Sequence, residues 1–286
     1  MLRSTSTMRK PLIGSTILAV ISSFFISTQT HAKRYIPAKD SEVEYTINRA
    51  HADEYTIDKE KIKILVWNLY KGEKDSFVKD YKKLTAGKDI LLLQEVITNK
   101  RMKPVLEADT ERTYHVATSF FDSEDGWARS GTATASRYRA MEVKWQRSRH
   151  HEPMVKTPKM ISIAKFDLEA TDEDLLTLSI HGVNFVSAAK LEDQIQQAAL
   201  LISRHKGPVV FGGDFNTWSK KKLNVMRTSL SRIGLKEVPF GAGRMETFGK
   251  PLDHVFIKGL KLNSSKVHKD VEGSDHKALE VEVSLP

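Results

Sequence analysis

The sequence predicts an α+β domain of two packed sheets with helices on the outside. Short apolar or alternating stretches bounded by turn residues recur along the chain, which is typical of strands. A few stretches instead show apolar residues at helical spacing. The 286-residue chain is 40% hydrophobic and has no internal repeat or clear linker, so it can bury one large core.

The first 32 residues are predicted to be a secretory signal peptide. Arg3, Arg9 and Lys10 precede the apolar stretch 12–26, and the sequence at 30–32 resembles a cleavage site. An uncleaved membrane anchor is the alternative, but the stretch is short and interrupted by serine. We therefore expect an exported protein, periplasmic or secreted, that keeps no membrane span after cleavage.

The charge balance favours phosphate-rich partners. The chain carries 45 Lys and Arg against 36 Asp and Glu, a net charge of +9. Loss of the signal peptide removes three basic and no acidic residues, which leaves +6. Nucleic acid, anionic lipid and phosphorylated small molecules all fit this charge. The absence of cysteine excludes disulfides, thiolate nucleophiles and zinc-thiolate sites. We expect a monomer.

The domain is expected to span residues 61–286, preceded by a polar segment, 33–60, interpreted as exposed or as a sheet edge. Its first strand covers 61–68 and ends at Asn68. A helix at 75–84 and a second buried strand at 89–95, ending at Glu95, follow.

The middle of the chain is predicted to add more strands and the clearest helix. Strands are expected at 115–121 and 130–136, and an antiparallel pair at 159–168 and 175–180, directly followed by His181. The helix runs from 191 to 205 and is stopped by Gly207-Pro208.

The stretch from Pro208 to Trp218 organises the rest of the prediction. An apolar strand leads into Gly212-Gly213, which permits a bend and a close approach. Asp214 and Asn216 follow and project from the same side if the chain is extended. A helix at 220–234, a strand at 252–257 and a final strand at 278–283 complete the domain.

Acid, amide and imidazole side chains recur where the predicted strands leave the core. They are Asn68, Glu95, His181, Asp214, Asn216, Asp253, Asp275 and His276. This placement indicates convergence on one site. Carboxylate and amide oxygens suit Mg²⁺, Mn²⁺ or Ca²⁺, and an Asp–His pair suits general acid–base catalysis. The pattern predicts metal-assisted phosphoester hydrolysis.

These residues stand in motifs that resemble one known superfamily. In order, they are Trp67-Asn68, Gln94-Glu95, Ser130-Gly-Thr-Ala, Ile180-His181-Gly-Val-Asn184-Phe185, Gly213-Asp-Phe-Asn216, Leu252-Asp-His254-Val-Phe256 and Ser274-Asp-His276. The chain resembles the endonuclease/exonuclease/phosphatase superfamily from about residue 62 to 283, nearly the whole mature chain. That group includes deoxyribonucleases, apurinic-site endonucleases, sphingomyelinases and inositol polyphosphate phosphatases. The phrases around His181 and Leu252 most resemble uncharacterised bacterial members.

The resemblance implies a four-layered α/β/β/α sandwich of two mixed sheets with outer helices. It also implies a magnesium site at Glu95, with Asn68 nearby and Asp275 as a contributor. Asp214 would position the attacking water and Asn216 the phosphate.

The two histidines carry the proton chemistry in this comparison. His276 would be the general base, oriented by Asp253. His181 would stabilise the transition state or act as the acid, and the assignment of base and acid between them stays open. Tyr70 stands where apurinic-site enzymes carry an acidic residue, which argues against the abasic-repair branch.

Four further residues are predicted to bind substrate: Arg129, Asn184, Lys220 and Lys221. The lysines belong to the run Lys220-Lys221-Lys222, for which a solvated surface is the alternative. The alternative is an exposed loop for Arg129 and loop ordering for Asn184. His254 follows Asp253 in a strand, so it is expected to face the other way and to pack. His150-His151 is expected in a solvated loop.

The sequence favours an exported Mg²⁺-dependent nuclease that acts on nucleic-acid phosphodiesters. A sphingomyelinase-like or small-molecule phosphodiesterase or phosphatase is the alternative. It would need an apolar loop to meet a membrane, and the sequence shows no long aromatic hairpin. A non-catalytic binding protein that keeps the fold is the third possibility, disfavoured because all the site residues are present.

Overall fold

The computed structural model describes residues 34–49 and 54–286, and the predicted signal peptide lies outside them. The helices found there are α1 (Asp40–Val43), α2 (Phe77–Thr85), α3 (Lys103–Glu107), α4 (Ala188–Arg204) and α5 (Lys220–Ser231), with a 3₁₀ turn at Tyr70–Gly72. The first strands are β1 (Tyr35–Pro37), β2 (Glu44–Ile47), β3 (Thr56–Ile57), β4 (Ile62–Asn68), β5 (Ile90–Ile97), β6 (Thr113–Asp122), β7 (Ala128–Ser136) and β8 (Glu142–His151). The remaining strands are β9 (Pro158–Leu168), β10 (Asp174–His181), β11 (Val209–Asp214), β12 (Lys236–Glu237), β13 (Glu246–Thr247), β14 (Lys250–Pro251), β15 (Asp253–Lys258), β16 (Lys261–Val267) and β17 (Leu279–Ser284).

Two mixed sheets contain most of these strands. The first has eight strands in the order β1-β6-β7-β5-β4-β17-β16, with β2 also paired to β6. The second has seven in the order β12-β15-β11-β10-β9-β3, with β8 paired to β9. Strands β4 and β5 are parallel in the first sheet, as are β10 and β11 in the second. Each sheet therefore brings the carboxyl ends of two neighbouring strands to one edge.

The central strands are buried on both faces. In β4, Ile64 and Val66 belong to the core between the sheets, whereas Leu65 and Trp67 face the helical layer. Alternate side chains of a strand point to opposite faces, so a strand covered on both sides reads as a continuous apolar run. The predicted two-sheet sandwich is confirmed.

The longer helices cover the outer faces of the sandwich. Phe77, Tyr81 and Leu84 of α2 pack on the first sheet. Leu191 and Ile195 of α4 pack on the second sheet, in the same cluster as Leu223 and Met226 of α5. Among residues 34–49 and 54–286, no helix is long and apolar enough to cross a membrane.

The N-terminal segment is part of the sandwich in its described residues. Strands β1 and β2 pair with β6, and β3 pairs with β9. Val43 and Ile57 are fully buried. Many of the other described residues of this segment are exposed, and the pairing agrees with the sheet-edge interpretation of residues 33–60. Single apolar residues separated by polar ones are enough to cover a sheet edge.

Strand β8 was not predicted from the sequence, which suggested a loop at its last two residues. It pairs with β9 from Glu142 to Arg147 and again at His151. Its residues alternate between partly buried and exposed, and most are polar, as suits an edge strand. His150 lies within this strand, with its Nε2 3.7 Å from Asp193 Oδ2, so the loop prediction for His150-His151 is wrong.

Candidate active site

The second sheet aligns three polar side chains side by side. His181 ends β10 and pairs in register with Asp214, which ends β11. Asp214 in turn pairs with Asp253, the first residue of the antiparallel β15. All three are nearly inaccessible to solvent. The predicted convergence of strand ends is present in the structure.

The first sheet contributes the opposite wall of the site. Asn68, the last residue of β4, donates from Nδ2 to Asp214 Oδ2 over 3.2 Å and to Glu95 Oε1 over 3.5 Å. Its own Oδ1 accepts from the Tyr70 backbone. Ser274, in the loop between β16 and β17, donates to the Asn68 carbonyl. Asn68 therefore joins the two sheets at the site.

Two imidazoles approach one carboxylate oxygen. His276 Nδ1 lies 2.8 Å from Asp253 Oδ2, and its Nε2 lies 3.9 Å from Asp214 Oδ2. His181 Nε2 lies 3.6 Å from the same Asp214 oxygen. Both imidazoles therefore face the same Asp214 oxygen, at distances longer than a direct hydrogen bond.

The local electrostatics separate the two histidines. Burial opposes charge on His276, but Asp253, Asp214 and Asp275 together raise its pKa to about 10. Burial, together with the positive charges of Lys159, His276 and Lys71, holds the pKa of His181 well below its usual range. The surroundings therefore favour the charged form of His276 and the neutral form of His181.

The carboxyl group between them is also perturbed. Burial raises the pKa of Asp214 to about 7, with Asp253 and Glu95 adding to the rise and His276 opposing it. A carboxyl group that titrates near neutrality can hold or release a proton during turnover.

Gly213 and Asn216 shape the backbone around Asp214. Gly213 has φ +145°, and a Cβ there would lie 2.0 Å from the Ile180 carbonyl oxygen. Asn216 has φ +53°, donates its backbone N–H to Asp214 Oδ1 over 2.8 Å, and donates from Nδ2 to the Gly182 carbonyl. The group that approaches Gly213 closely is the backbone of the neighbouring strand β10. Asn216 lies beside Asp214, to which its backbone N–H is hydrogen-bonded.

Glu95 points into the site from a β-bulge. The register of β5 against β7 shifts between Leu93 and Val96, and Glu95 has φ +52°. A bulge re-aims the side chain of the extra residue. The strand continues beyond Glu95 to Ile97, so the sequence located the residue correctly but not the end of the strand.

The oxygen donors around Glu95 fit a divalent cation. Burial raises the pKa of Asp275, and the negative charge of Glu95 raises it further. The Asn68 amide faces Glu95 with its NH₂ group while its Oδ1 accepts from the Tyr70 backbone, so the oxygen donors here are the two mutually repelling carboxylates. In the described part of the chain no group of three or more His, Asp or Glu has metal-binding spacing. A small oxygen-loving divalent cation can be held by one or two carboxylates when water and substrate complete its shell.

The predicted substrate-binding residues differ in their placement. Asn184 follows His181 in the β10–α4 loop, and its Oδ1 accepts from Trp218 Nε1 over 2.9 Å. Lys220 and Lys221 open α5 and are exposed, four and five residues after Asn216. Asn184 borders the site, whereas the lysines lie at its periphery.

Arg129 is not a substrate-binding residue. Its guanidinium donates from Nη1 to the Glu42 carbonyl over 2.7 Å. The same group lies 4.9 Å from the Tyr45 ring centre and 4.8 Å from that of Phe121. These contacts hold the N-terminal segment against β6, so the sequence prediction for Arg129 is wrong.

His254 faces away from the site, as expected. Its side chain is fully buried, with Nδ1 2.7 Å from Glu237 Oε1 and Nε2 2.8 Å from Thr217 Oγ1. Asp253 therefore points toward the site, whereas His254 packs in the core and is hydrogen-bonded there.

Two further residues support the site: Gln194 was not singled out from the sequence, and Lys222 was considered only as part of the lysine run that opens α5. Gln194 of α4 donates to the His181 carbonyl and accepts from Val183 N–H, which fixes the loop after β10. Lys222 is buried, with Nζ 3.4 Å from the Asn216 carbonyl, and burial lowers its pKa to about 8. Helical spacing from Lys222 to the buried Met226 is the signal that separates it from its exposed neighbours.

A cavity of about 250 Å³ adjoins His181 and Glu95 on the β9 side of the site. Lys71 and Lys159 line it together with Glu152, and Lys159 Nζ lies 3.3 Å from Glu152 Oε1. Glu95, His181 and Asn184 of this lining were predicted from the sequence, whereas Lys71, Glu152 and Lys159 were not, because they come from segments distant in sequence.

Known proteins share both the sequence and the fold. The chain is 32% identical over 233 residues to a UPF0294 protein of Vibrio campbellii, covering 80% of each chain. An endonuclease/exonuclease/phosphatase family protein of Leptotrichia buccalis is similar in structure, with TM-score 0.62, 18% identity and coverage of 78% of this chain and 100% of that one. The human Nocturnin catalytic domain gives TM-score 0.61 at 14% identity, covering 85% and 97%.

The family itself is defined by a direct sequence match. The profile of the Endonuclease/Exonuclease/phosphatase family matches residues 65–276, which include every residue assigned above to the site. Enzymes of this family usually depend on a divalent metal. The chain belongs to the Endonuclease/Exonuclease/phosphatase family, whose members are hydrolases acting on phosphoester bonds.

Proposed function

We propose that the chain is an exported Mg²⁺-dependent phosphodiesterase that hydrolyses nucleic acid. The observation that carries this proposal is the meeting of His181, His276 and Asn68 around Asp214. The signal-like sequence at residues 1–32 supports export, and the excess of Lys and Arg supports a polyanionic substrate.

The roles follow from the contacts of each side chain. Asp214 positions the attacking water, because its Oδ2 faces both imidazoles. Asp253 orients His276 through Nδ1, which directs Nε2 toward Asp214. His181 and His276 share proton transfer and stabilisation of the phosphoryl charge. Asn216 lies beside them to contact the phosphate.

Glu95 and Asp275 would hold the cation, with the Asn68 amide beside Glu95. When bound, Mg²⁺ polarises a phosphoryl oxygen and neutralises developing charge. The chain itself binds the substrate, orients the water and moves the proton.

A substrate screen tests this proposal. Purified protein lacking residues 1–32 is assayed with plasmid DNA, single-stranded DNA, RNA, sphingomyelin, sugar phosphates and a generic diester, with Mg²⁺ or a chelator. We expect metal-dependent cleavage of nucleic acid that Asp214→Ala and His276→Ala abolish. His150→Ala, in the edge strand β8, is the matched histidine control. Hydrolysis of only the lipid or the sugar phosphates would replace the nuclease by the alternative phosphoesterase.

A further inference from the structure

Three aromatic side chains border the candidate active site: Phe185, Trp218 and Phe248, here called the aromatic rim. Phe185 is 62% exposed and Phe248 is 84% exposed, while Trp218 is half-buried. Phe185 and Phe248 have φ of +53° and +52°. Positive φ is uncommon for a bulky residue. Phe185 and Phe248 therefore expose large apolar rings to solvent while their backbones adopt a conformation that is unfavourable for bulky residues.

The rim is continuous with the site. Trp218 follows Asn216 by two residues and donates from Nε1 to Asn184 Oδ1. The Phe248 ring lies edge-on to Trp218, with ring centres 6.5 Å apart at 71°. Asn184 immediately precedes Phe185. Contacts between side chains therefore connect the tip of the β13–β14 hairpin with the loop that follows His181.

Positive charge is interleaved with these rings. Lys222 Nζ lies 4.5 Å from the Trp218 ring centre. Exposed Lys220 and Lys221 follow Trp218 in α5, and Lys250 shares the hairpin of Phe248, which carries one acid, Glu246. Separate rings spaced by cations form a stacking platform for unpaired bases rather than a continuous apolar surface for lipid.

The cavity of about 250 Å³ lies on the other side of His181. In the second sheet, β9 lies on one side of β10, and β11 and β15 lie on the other side. The loop that contains Trp218 follows β11, and the β13–β14 hairpin precedes β15. Phe185 lines the cavity together with Lys71 and Lys159. Pockets for drug-sized ligands start at roughly 300 Å³, so this space suits one nucleoside and not a base pair.

We propose that the site binds an extended single strand of nucleic acid. One nucleoside enters the cavity on one side of the scissile phosphate, and a base on the other side stacks on Phe248 and Trp218. A duplex has to unpair before it can occupy both positions. This inference rests on the proposed nuclease function and names the form of its substrate.

Binding to an inactive variant tests the inference apart from catalysis. In Asp214→Asn protein, fluorescent oligo(dT), the matching duplex and phosphatidylglycerol vesicles are compared as probes. We expect the single strand to bind at least about tenfold more tightly than the duplex. Phe248→Ala should weaken single-strand binding by about 5- to 150-fold, the range that corresponds to loss of one stacked base, and Phe248→Trp should restore it. Tyr55→Ala removes an exposed ring outside the rim and serves as the control.

The outcomes separate the two proposals. Equal affinity for both DNA forms, or no effect of Phe248→Ala, overturns the single-strand inference even if the enzyme is a nuclease. Vesicle binding that depends on Phe248, without oligonucleotide binding, overturns it in favour of a lipid surface. If the active chain cleaves no nucleic acid in the substrate screen, the proposed function fails first.

Discussion

His276 Nδ1 lies 2.8 Å from Asp253 Oδ2, and Asp253 is paired in register with Asp214 on the neighbouring strand. The pairing of β11 with β15 therefore positions two carboxylates around His276: Asp253, which is hydrogen-bonded to its imidazole, and Asp214, which the imidazole faces. The distance from His276 to Asp214 depends on the alignment of β11 with β15.

We predict that Asp253→Asn lowers kcat by roughly 10²-fold or more, while KM changes little, because the imidazole loses its orienting charge. Steady-state kinetics over a range of pH measure the effect. His254→Gln, one residue along the same strand, is the matched control, since that side chain faces Glu237. A similar loss of kcat per folded molecule in both variants would contradict a specific role for Asp253.

Glu95→Gln should lower the apparent affinity for Mg²⁺ by about tenfold or more, because it removes one carboxylate charge from the donor set. The measurement is the rise in melting temperature with added Mg²⁺, which does not depend on turnover. Glu60→Gln, an exposed residue before β4, should leave that rise unchanged. An identical metal response in all three proteins would exclude Glu95 as a ligand.

Gly213→Ala should destabilise the fold by about 3 kcal/mol or prevent folding, because its Cβ would meet the Ile180 carbonyl oxygen at 2.0 Å. Chemical denaturation measures the free energy of unfolding. Gly241→Ala, where nothing lies within 4 Å of the added Cβ, is the control. Equal stability of the two variants would show that β10 and β11 can separate without cost.

Acid should destabilise the protein through His115. Burial, together with the positive charge of Arg49, lowers the pKa of His115 from 6.5 to about 4. Between these values the unfolded chain binds more protons than the folded one, so stability falls as pH falls through this window. His115→Gln should remove roughly 2 kcal/mol of the change between about pH 7 and pH 4. Urea denaturation at several pH values measures it, with His150→Gln as the control, and an unchanged slope in His115→Gln would refute the assignment.

The central strands and much of the site could be predicted because burial leaves a plain pattern in the sequence. Strands β4, β5 and β11 are covered on both faces, which requires long apolar runs, and their polar ends stand out against those runs. Gly213-Asp-Phe-Asn216 identified the meeting point of the strands before any contact was known. The roles of these residues in catalysis stay predictions.

The edges and the long-range contacts could not be predicted in the same way. Strand β8 is polar because one side meets solvent, so its pattern resembles a loop. The contacts of Arg129 with Glu42 and Tyr45 join residues far apart in the chain, and nothing local indicates them. The bulge that aims Glu95 depends on pairing with β7, which the sequence of β5 alone does not specify.

The hydrogen bond from Asn68 to Asp214 joins one sheet to the other. Neither sheet carries a complete set of reacting groups, so activity reports on how the two halves of the molecule are docked. A small displacement of one sheet relative to the other would separate Asn68 from Asp214 and abolish activity, even though each sheet kept its own hydrogen bonds. On heating, loss of activity should therefore precede loss of the β-sheet circular-dichroism signal. The rate of turnover would then report how well the two sheets are aligned.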